Sequence, residues 1–236
     1  MSHFSKSKPS IILVHGAFAD ATSWQGVIPL LQKDGFTVTA VQNPLNSLAE
    51  DVITTRRAID AQEGDVILVG HSYGGAVITN AATGSEKVKA LVYVTGFAPD
   101  AGEGLGGLLA KFPPTALATA LVPDAAGYLT IDRAKFEDAF AGDLPKGQIA
   151  TLAATQKPLA AAIFGEPAAE PAWKTIPSWF ALSLQDHAIH PDLQRFMAGR
   201  MKSTVKEVEA SHVSYISQPD KIAAVIKAAV EATLAE

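Results

Sequence analysis

Apolar residues fall in short unbroken runs along the first hundred positions: Ile11-Ile12-Leu13-Val14, Thr37-Val38-Thr39-Ala40-Val41, Val66-Ile67-Leu68-Val69 and Ala90-Leu91-Val92-Tyr93-Val94. Runs without alternation predict fully buried strands, as in a parallel sheet covered on both faces. Between them the period changes. Trp24, Val27, Ile28 and Leu31 recur at helical spacing until Gly35. Pro29 places the start of that helix near itself, because proline suits a first turn and not an interior. Ser47 with Glu50 three residues on predicts a capped helix start, with Leu48, Val52 and Ile59 on one face. Strand and helix in alternation imply right-handed crossovers and an α/β fold, a mostly parallel doubly wound sheet.

The alternation stops after Phe97. From about Pro99 to Pro171 the chain is rich in Ala, Leu, Gly and Pro and holds no long β-branched run. Helix-like pieces near Asp132–Ala141 and Gln148–Phe164, broken by Pro145 and Pro158, predict a helical insertion over the carboxyl ends of the strands. Alternation resumes with Trp179–Ser183, a helix opened by Pro191 that carries Leu193, Phe196, Met197 and Met201, and a strand around Thr204–Val208. A last helix has Pro219 in its first turn and an inner face of Ile222, Val225, Ile226 and Val230.

Composition narrows the function classes. With 48% apolar and 18% charged residues, the 236-residue chain can bury a large core as one domain. A net charge of −5, with acids and bases interspersed, offers no basic stripe, so nucleic acid is not an expected partner. The absence of cysteine removes disulfides, thiol catalysis and thiolate metal sites together. The polar stretch Met1–Pro9, with Lys6 and Lys8, leads into an apolar run too short for a signal segment or a membrane span. A soluble, unprocessed, cytoplasmic protein without a membrane partner is the expectation.

The chemistry centres on Gly70-His71-Ser72-Tyr73-Gly74-Gly75. It fits G-x-S-x-G in the context that motif requires, a buried strand leading in and a small-residue helix from Ala76 to Ala82 leading out. In such an elbow the serine occupies a strained turn that exposes its hydroxyl at the sheet's carboxyl edge. A glycine-rich turn with an ordinary serine is the bland reading, and the flanking elements favour the nucleophile.

A serine hydroxyl needs a base, and six histidines compete. His3 sits in the polar N-terminal stretch. His71 adjoins Ser72 and points elsewhere, His15 shapes the loop after the first strand, and His187 and His190 occupy a loop after the Trp179–Ser183 strand. His212 follows the last predicted strand, where chain order nucleophile, acid, base places it. Asp186 is the favoured acid, just past its strand's carboxyl end. Asp192 is its near rival, although the preceding Pro191 suggests an ordinary first-turn position, and Asp100 and Glu103 are distant ones. The oxyanion donors are expected to be the amides of Tyr73 and of Ala17, with Phe18 as the alternative to Ala17. Neither a metal nor a nucleotide motif is present, so no metal and no cofactor are expected.

Taken together, His15-Gly16-Ala17, the Gly70–Gly75 elbow, Asp186 and Ser211-His212 resemble the α/β-hydrolase superfamily. Phe97-Ala98-Pro99-Asp100, Pro191–Met197 and Ser211-His212-Val213 resemble small bacterial hydrolases that are similar to plant methylesterases and hydroxynitrile lyases. The resemblance spans nearly the whole chain and is loosest in the insertion. It implies a carboxylesterase-like activity on a small-molecule substrate. It also implies a core of residues 1–97 and 173–236 with a helical cap at 98–172. Phe18, Phe112, Leu117 and Phe164 are candidates for the substrate pocket, expected to be confined and apolar. Two alternatives stand beside a small-ester hydrolase. A cyanohydrin lyase would use the same triad as base. The similar lyases, however, carry a hydroxyl residue and a lysine where this chain has Gly16 and Val213. A small-molecule receptor on the same fold is the non-enzymatic alternative.

Overall fold

A computed structural model describes residues 7–235; His3 and Lys6 of the N-terminal stretch lie outside them. Six strands form one sheet: β1 (Ser10–Val14), β2 (Val38–Val41), β3 (Val66–His71), β4 (Val88–Val94), β8 (Ser178–Ser183) and β9 (Thr204–Val208). Their order is β2-β1-β3-β4-β8-β9, and every neighbouring pair is parallel. The four inner strands carry the unbroken apolar runs, and Ile11 to Val14, Val66 to Val69 and Ala90 to Val94 are all solvent-free. β2 departs from the expectation of full burial. As an edge strand it leaves Val38, Thr39 and Ala40 half-buried, and β9 at the other edge is exposed except at Val208.

Helices α1 (Ile28–Lys33), α2 (Leu48–Asp60) and α3 (Tyr73–Ala81) connect the early strands. Pro29 lies in the first turn of α1, and Ser47 caps α2 by accepting the Glu50 amide at 3.1 Å. After β8 come α6 (Pro191–Arg200), α7 (Ser214–Ser217) and α8 (Pro219–Leu234). α1 packs with α8 and α2 with α3, giving two helical layers around the sheet. Ile222, Val225, Ile226 and Val230 form the buried face of α8, whereas Phe196 of α6 is 40% exposed. Among the described residues no helix is long and apolar enough to cross a membrane.

The segment between β4 and β8 is not helical throughout. It holds α4 (Leu105–Leu109), α5 (Lys146–Ala154) and a π-helical turn at Glu137–Ala141. It also builds a separate antiparallel sheet from β5 (Leu121–Pro123), β6 (Tyr128–Ile131) and β7 (Leu159–Ala160). These strands are two to four residues long, too short for a β-branched run to announce them. Asp124 closes the β5–β6 turn by accepting the amides of Ala126 and Tyr128, and Gly127 supplies its positive φ of 85°.

This segment docks on loops that follow strand carboxyl ends. Beyond β2, Ala160 donates to the Leu45 carbonyl at 2.9 Å, and Glu166 accepts the Leu48 amide at 2.8 Å. Beyond β8, Leu117 donates to His187 O, and Thr115 Oγ1 to Ala188 O, each at 3.1 Å. Beyond β9, Asp143 takes both the amide and the hydroxyl of Ser211. It thereby spans the carboxyl edge of the sheet from β2 to β9.

Candidate active site

The chain reverses direction across the sheet between β1 and β3: β2 lies to one side of β1, and β3 to the other. In open parallel sheets, that switch point is where a crevice forms outside the carboxyl ends. Backbone strain marks the same edge. Of the five described non-glycine residues with positive φ, Phe18, Leu45, Ser72 and Thr95 follow β1, β2, β3 and β4 in turn. Strain of this kind persists only where surrounding packing holds it, and it gathers at functional sites.

Ser72 stands alone between β3 and α3, at φ 51° and ψ −123°. Its amide donates to Val94 O at 3.2 Å, and its carbonyl accepts from Gly75 and Phe97 at 2.9 and 3.0 Å. The turn is pressed against its neighbours. A Cβ on Gly70 would lie 2.5 Å from Gly74 O, and one on Gly74 would lie 2.4 Å from Val14 O. No side chain fits at either place. Tyr73 opens α3, so its amide belongs to the first turn, where helix N–H groups lack intrahelical acceptors and the helix dipole is positive.

The loop after β1 lies directly against Ser72. A Cβ on Gly16 would fall 2.8 Å from Ser72 Cβ and 2.9 Å from His71 O. His15 fixes this loop by donating from Nδ1 to Gly16 O at 2.8 Å and accepting the Asn43 amide on Nε2 at 3.0 Å. That pairing defines one neutral tautomer, and burial pulls its pKa down to about 4. Tyr73 is held from below: its hydroxyl donates to Asp51 at 2.6 Å, and the other Asp51 oxygen accepts the Leu45 amide at 3.0 Å. Burial pushes the Asp51 carboxyl above its ordinary range, against those two hydrogen bonds.

His212 and Asp186 form a buried pair, 1% and 2% exposed, joined by a 2.8 Å hydrogen bond from His212 Nδ1 to Asp186 Oδ2. The same carboxylate oxygen accepts from the Thr95 hydroxyl and from Gln194 Nε2, while Oδ1 takes the amides of Ala188 and Ile189 at 2.7 and 3.0 Å. A carboxylate so surrounded is fixed in position and orients the imidazole. The His71 ring lies 4.8 Å from that of His212, and its Nε2 donates to the His212 carbonyl at 2.8 Å. Thr95, Gln194 and His71 were not singled out as site residues by sequence. Thr95 carried a usable signal, since like Ser72 it is polar and directly follows a buried strand.

The rival residues have other occupations. Asp192 sits in the first turn of α6 and pairs with Arg195 at 3.0 Å. Asp100 pairs with Lys174 and Glu103 with Arg200. His187 is exposed and meets Asp138, and His190 accepts the Asp192 amide at the start of α6. Phe112, Leu117 and Phe164 come together in one apolar cleft of about 320 Å³, but none of Ser72, Asp186 and His212 lines it. Phe18 lies elsewhere, against Phe140, whose ring also meets His212.

Comparison with known proteins agrees with this architecture. A family model described as the alpha/beta hydrolase family matches residues 11–225. A probable hydrolase, R7, of a Phoma species is 29% identical over 93% of this chain and 97% of its own length. Methylesterase 8 of Arabidopsis thaliana is 32% identical over 46% of this chain and 45% of its own. Among solved structures, a pyrethroid hydrolase from Sphingobium faniae superposes with a TM-score of 0.82 at 25% identity, covering 95% of this chain and 98% of the other.

Proposed function

We propose that this chain, which belongs to the alpha/beta hydrolase family, is a serine hydrolase that cleaves a small, neutral and largely apolar carboxylic ester. Ser72 Oγ attacks the carbonyl carbon as its proton passes to Nε2 of His212. Asp186 holds Nδ1–H and stabilises the imidazolium. The amides of Ala17 and Tyr73 receive the oxyanion, whose charge the first turn of α3 also favours. The imidazolium then protonates the departing alcohol, leaving the acyl group on Ser72. Water, deprotonated by His212, attacks the acyl-enzyme and releases the acid with Ser72 restored. Residues 98–172 serve as a cap that keeps solvent from these steps.

One observation carries the reading: Ser72 takes a positive φ of 51° at the first turn of a helix, at the switch point between β1 and β3. No packing need explains a serine there, and a nucleophile does. The ester class draws on the surroundings and on the relatives. The clefts that Phe140 lines hold no lysine or arginine, and the one beside His212 carries Glu137, Asp138 and Asp143, which disfavours a carboxylate or phosphate on the substrate. The relatives named as methylesterase and pyrethroid hydrolase support esterase chemistry. A cyanohydrin lyase would need a cation for the departing cyanide, and Val213 offers none beside His212.

The test is a panel of p-nitrophenyl and methyl esters, run with and without a fluorophosphonate. Turnover of short esters, abolished in proportion to covalent labelling, is expected. Labelling without turnover of any ester would overturn the esterase reading and leave the lyase and the receptor, and absence of both would remove the serine mechanism.

A further inference from the structure

We infer that Phe140 is the specificity-determining residue of this site, a ring that fills the space between the base and the oxyanion loop and sets how bulky an ester can reach Ser72. The inference rests on the serine-hydrolase reading above. Ser72 is 7% exposed and His212 1%, so the approach to them is narrow. Phe140 is an aromatic side chain packed against the base. Its ring centroid lies 5.1 Å from the His212 imidazole and 6.2 Å from the Phe18 ring, edge-on at 81°. It therefore touches the base on one side and the loop that supplies Ala17 on the other.

The empty space around it is divided in two. A cleft of about 470 Å³ is lined by His212, His187 and the carboxylates Glu137, Asp138 and Asp143, and another of about 230 Å³ by Phe18, Phe136, Thr151 and Tyr215; Ser72 lines neither. Phe140 is the one residue that lines both. The phenyl ring is thus common to both clefts and sits beside His212, where turning it aside would bring the two together. An ester has two arms, acyl and alcohol, and the two clefts offer a place for each once the ring yields.

The backbone under this ring is unusual too. Glu137–Ala141 is a π-helical turn, a rare geometry that recurs at functional sites. Phe140 lies within it. The turn is anchored at both ends of its outer face, by Asp138 against His187 and by Asp143 against Ser211, so the freedom lies in the Phe140 ring and not in the backbone. Being apolar, the ring can be displaced by an ester arm without stranding a buried polar group.

The test compares kcat/KM for p-nitrophenyl acetate and for a p-nitrophenyl ester of a branched aromatic acid, in the parent, Phe140→Ala, Phe140→Leu and Phe140→Trp. The bulky-to-small ratio should rise tenfold or more in Phe140→Ala, within the roughly 10–200-fold that pocket methylenes can supply. It should rise less in Phe140→Leu and fall in Phe140→Trp. Phe140 is buried, so if Phe140→Ala loses its circular-dichroism melt, Phe140→Leu decides on the same ratio. A ratio that stays at the parent value across the folded variants, or moves in the opposite order, overturns the role of Phe140. Labelling of each variant with a small fluorophosphonate separates the two levels. If the parent is labelled at Ser72 and the ratio does not move, only this inference falls. If the parent is not labelled at all, the underlying reading falls with it.

Discussion

His71 donates its Nε2–H to the main-chain carbonyl of His212, 2.8 Å away and 141 positions along the chain. A carbonyl only accepts, so Nε2 carries the proton and Nδ1, buried without a partner, is bare. Burial pulls this imidazole well below its ordinary range, which keeps it neutral and the donation intact. His71 thus ties the strand that delivers the proposed nucleophile to the loop that delivers the proposed base. Removing it should misplace His212 without touching substrate. Loss of such a hydrogen bond costs roughly 1–3 kcal/mol. His71→Ala should therefore lower kcat about 5- to 160-fold with little change in KM, and His71→Gln, which keeps a donor, should recover part of it. A KM effect alone would place His71 in substrate binding.

His15 makes stability depend on pH. Its folded pKa of about 4 lies below the 6.5 of an unperturbed histidine, because burial penalises the charge. Between these values the unfolded chain binds the extra proton, so stability falls as pH drops. Above pH 6.5 both states are neutral and the full stability is present. Below about 4 the loss levels off at roughly 3 kcal/mol. Melting temperature followed from pH 7 to pH 4 should decline, and His71, shifted the same way, should steepen the decline. A His15→Gln variant should show a shallower slope; an equal slope would mean His15 is not held neutral.

Gly16 is a position where a single methyl group should stop the chemistry. The added Cβ of Gly16→Ala would lie 2.8 Å from Ser72 Cβ and 2.9 Å from the His71 carbonyl, and neither belongs to a flexible side-chain end. The loop must retreat and take the Ala17 amide with it. Loss of one oxyanion donor costs about 10²–10³ in kcat. A variant with parental kcat would show that this loop supplies no donor.

The two aspartates after β8 should separate cleanly. Asp186→Asn places an amide against His212 Nδ1, favours the wrong tautomer and should lower kcat by roughly 10³–10⁴. Asp192, exposed beside Arg195, should tolerate asparagine with less than a tenfold effect. The reverse ranking would move the acid to position 192.

Sequence carried the fold further than it carried the surroundings of the site. The inner strands, the Pro29 helix start, the Ser47 cap and the inner face of α8 each follow from local pattern, and each is present. β2 read as fully buried because Thr37–Val41 is apolar enough, and only its place at the sheet's edge exposes it. β5, β6 and β7 escaped because two to four residues cannot display a period. Their one local trace was the Asp124–Gly127 turn. The elbow at Ser72 is legible because strand, turn and helix are contiguous. The His71 donation to His212 is not, since it exists only once β3 and the loop after β9 meet. Phe140 is hidden for the same reason, and the π turn that carries it has no sequence signature.

The most direct measurement of the central claim is kcat of Ser72→Ala on the best ester of the panel, with circular dichroism to show that the fold persists. Losing a triad nucleophile typically costs on the order of 10⁶ in kcat, so turnover should fall to the background of the oxyanion hole and binding alone. Intact-mass analysis should show the fluorophosphonate adduct on the parent and none on the variant. A folded Ser72→Ala enzyme that kept a tenth of the parental turnover would contradict the account.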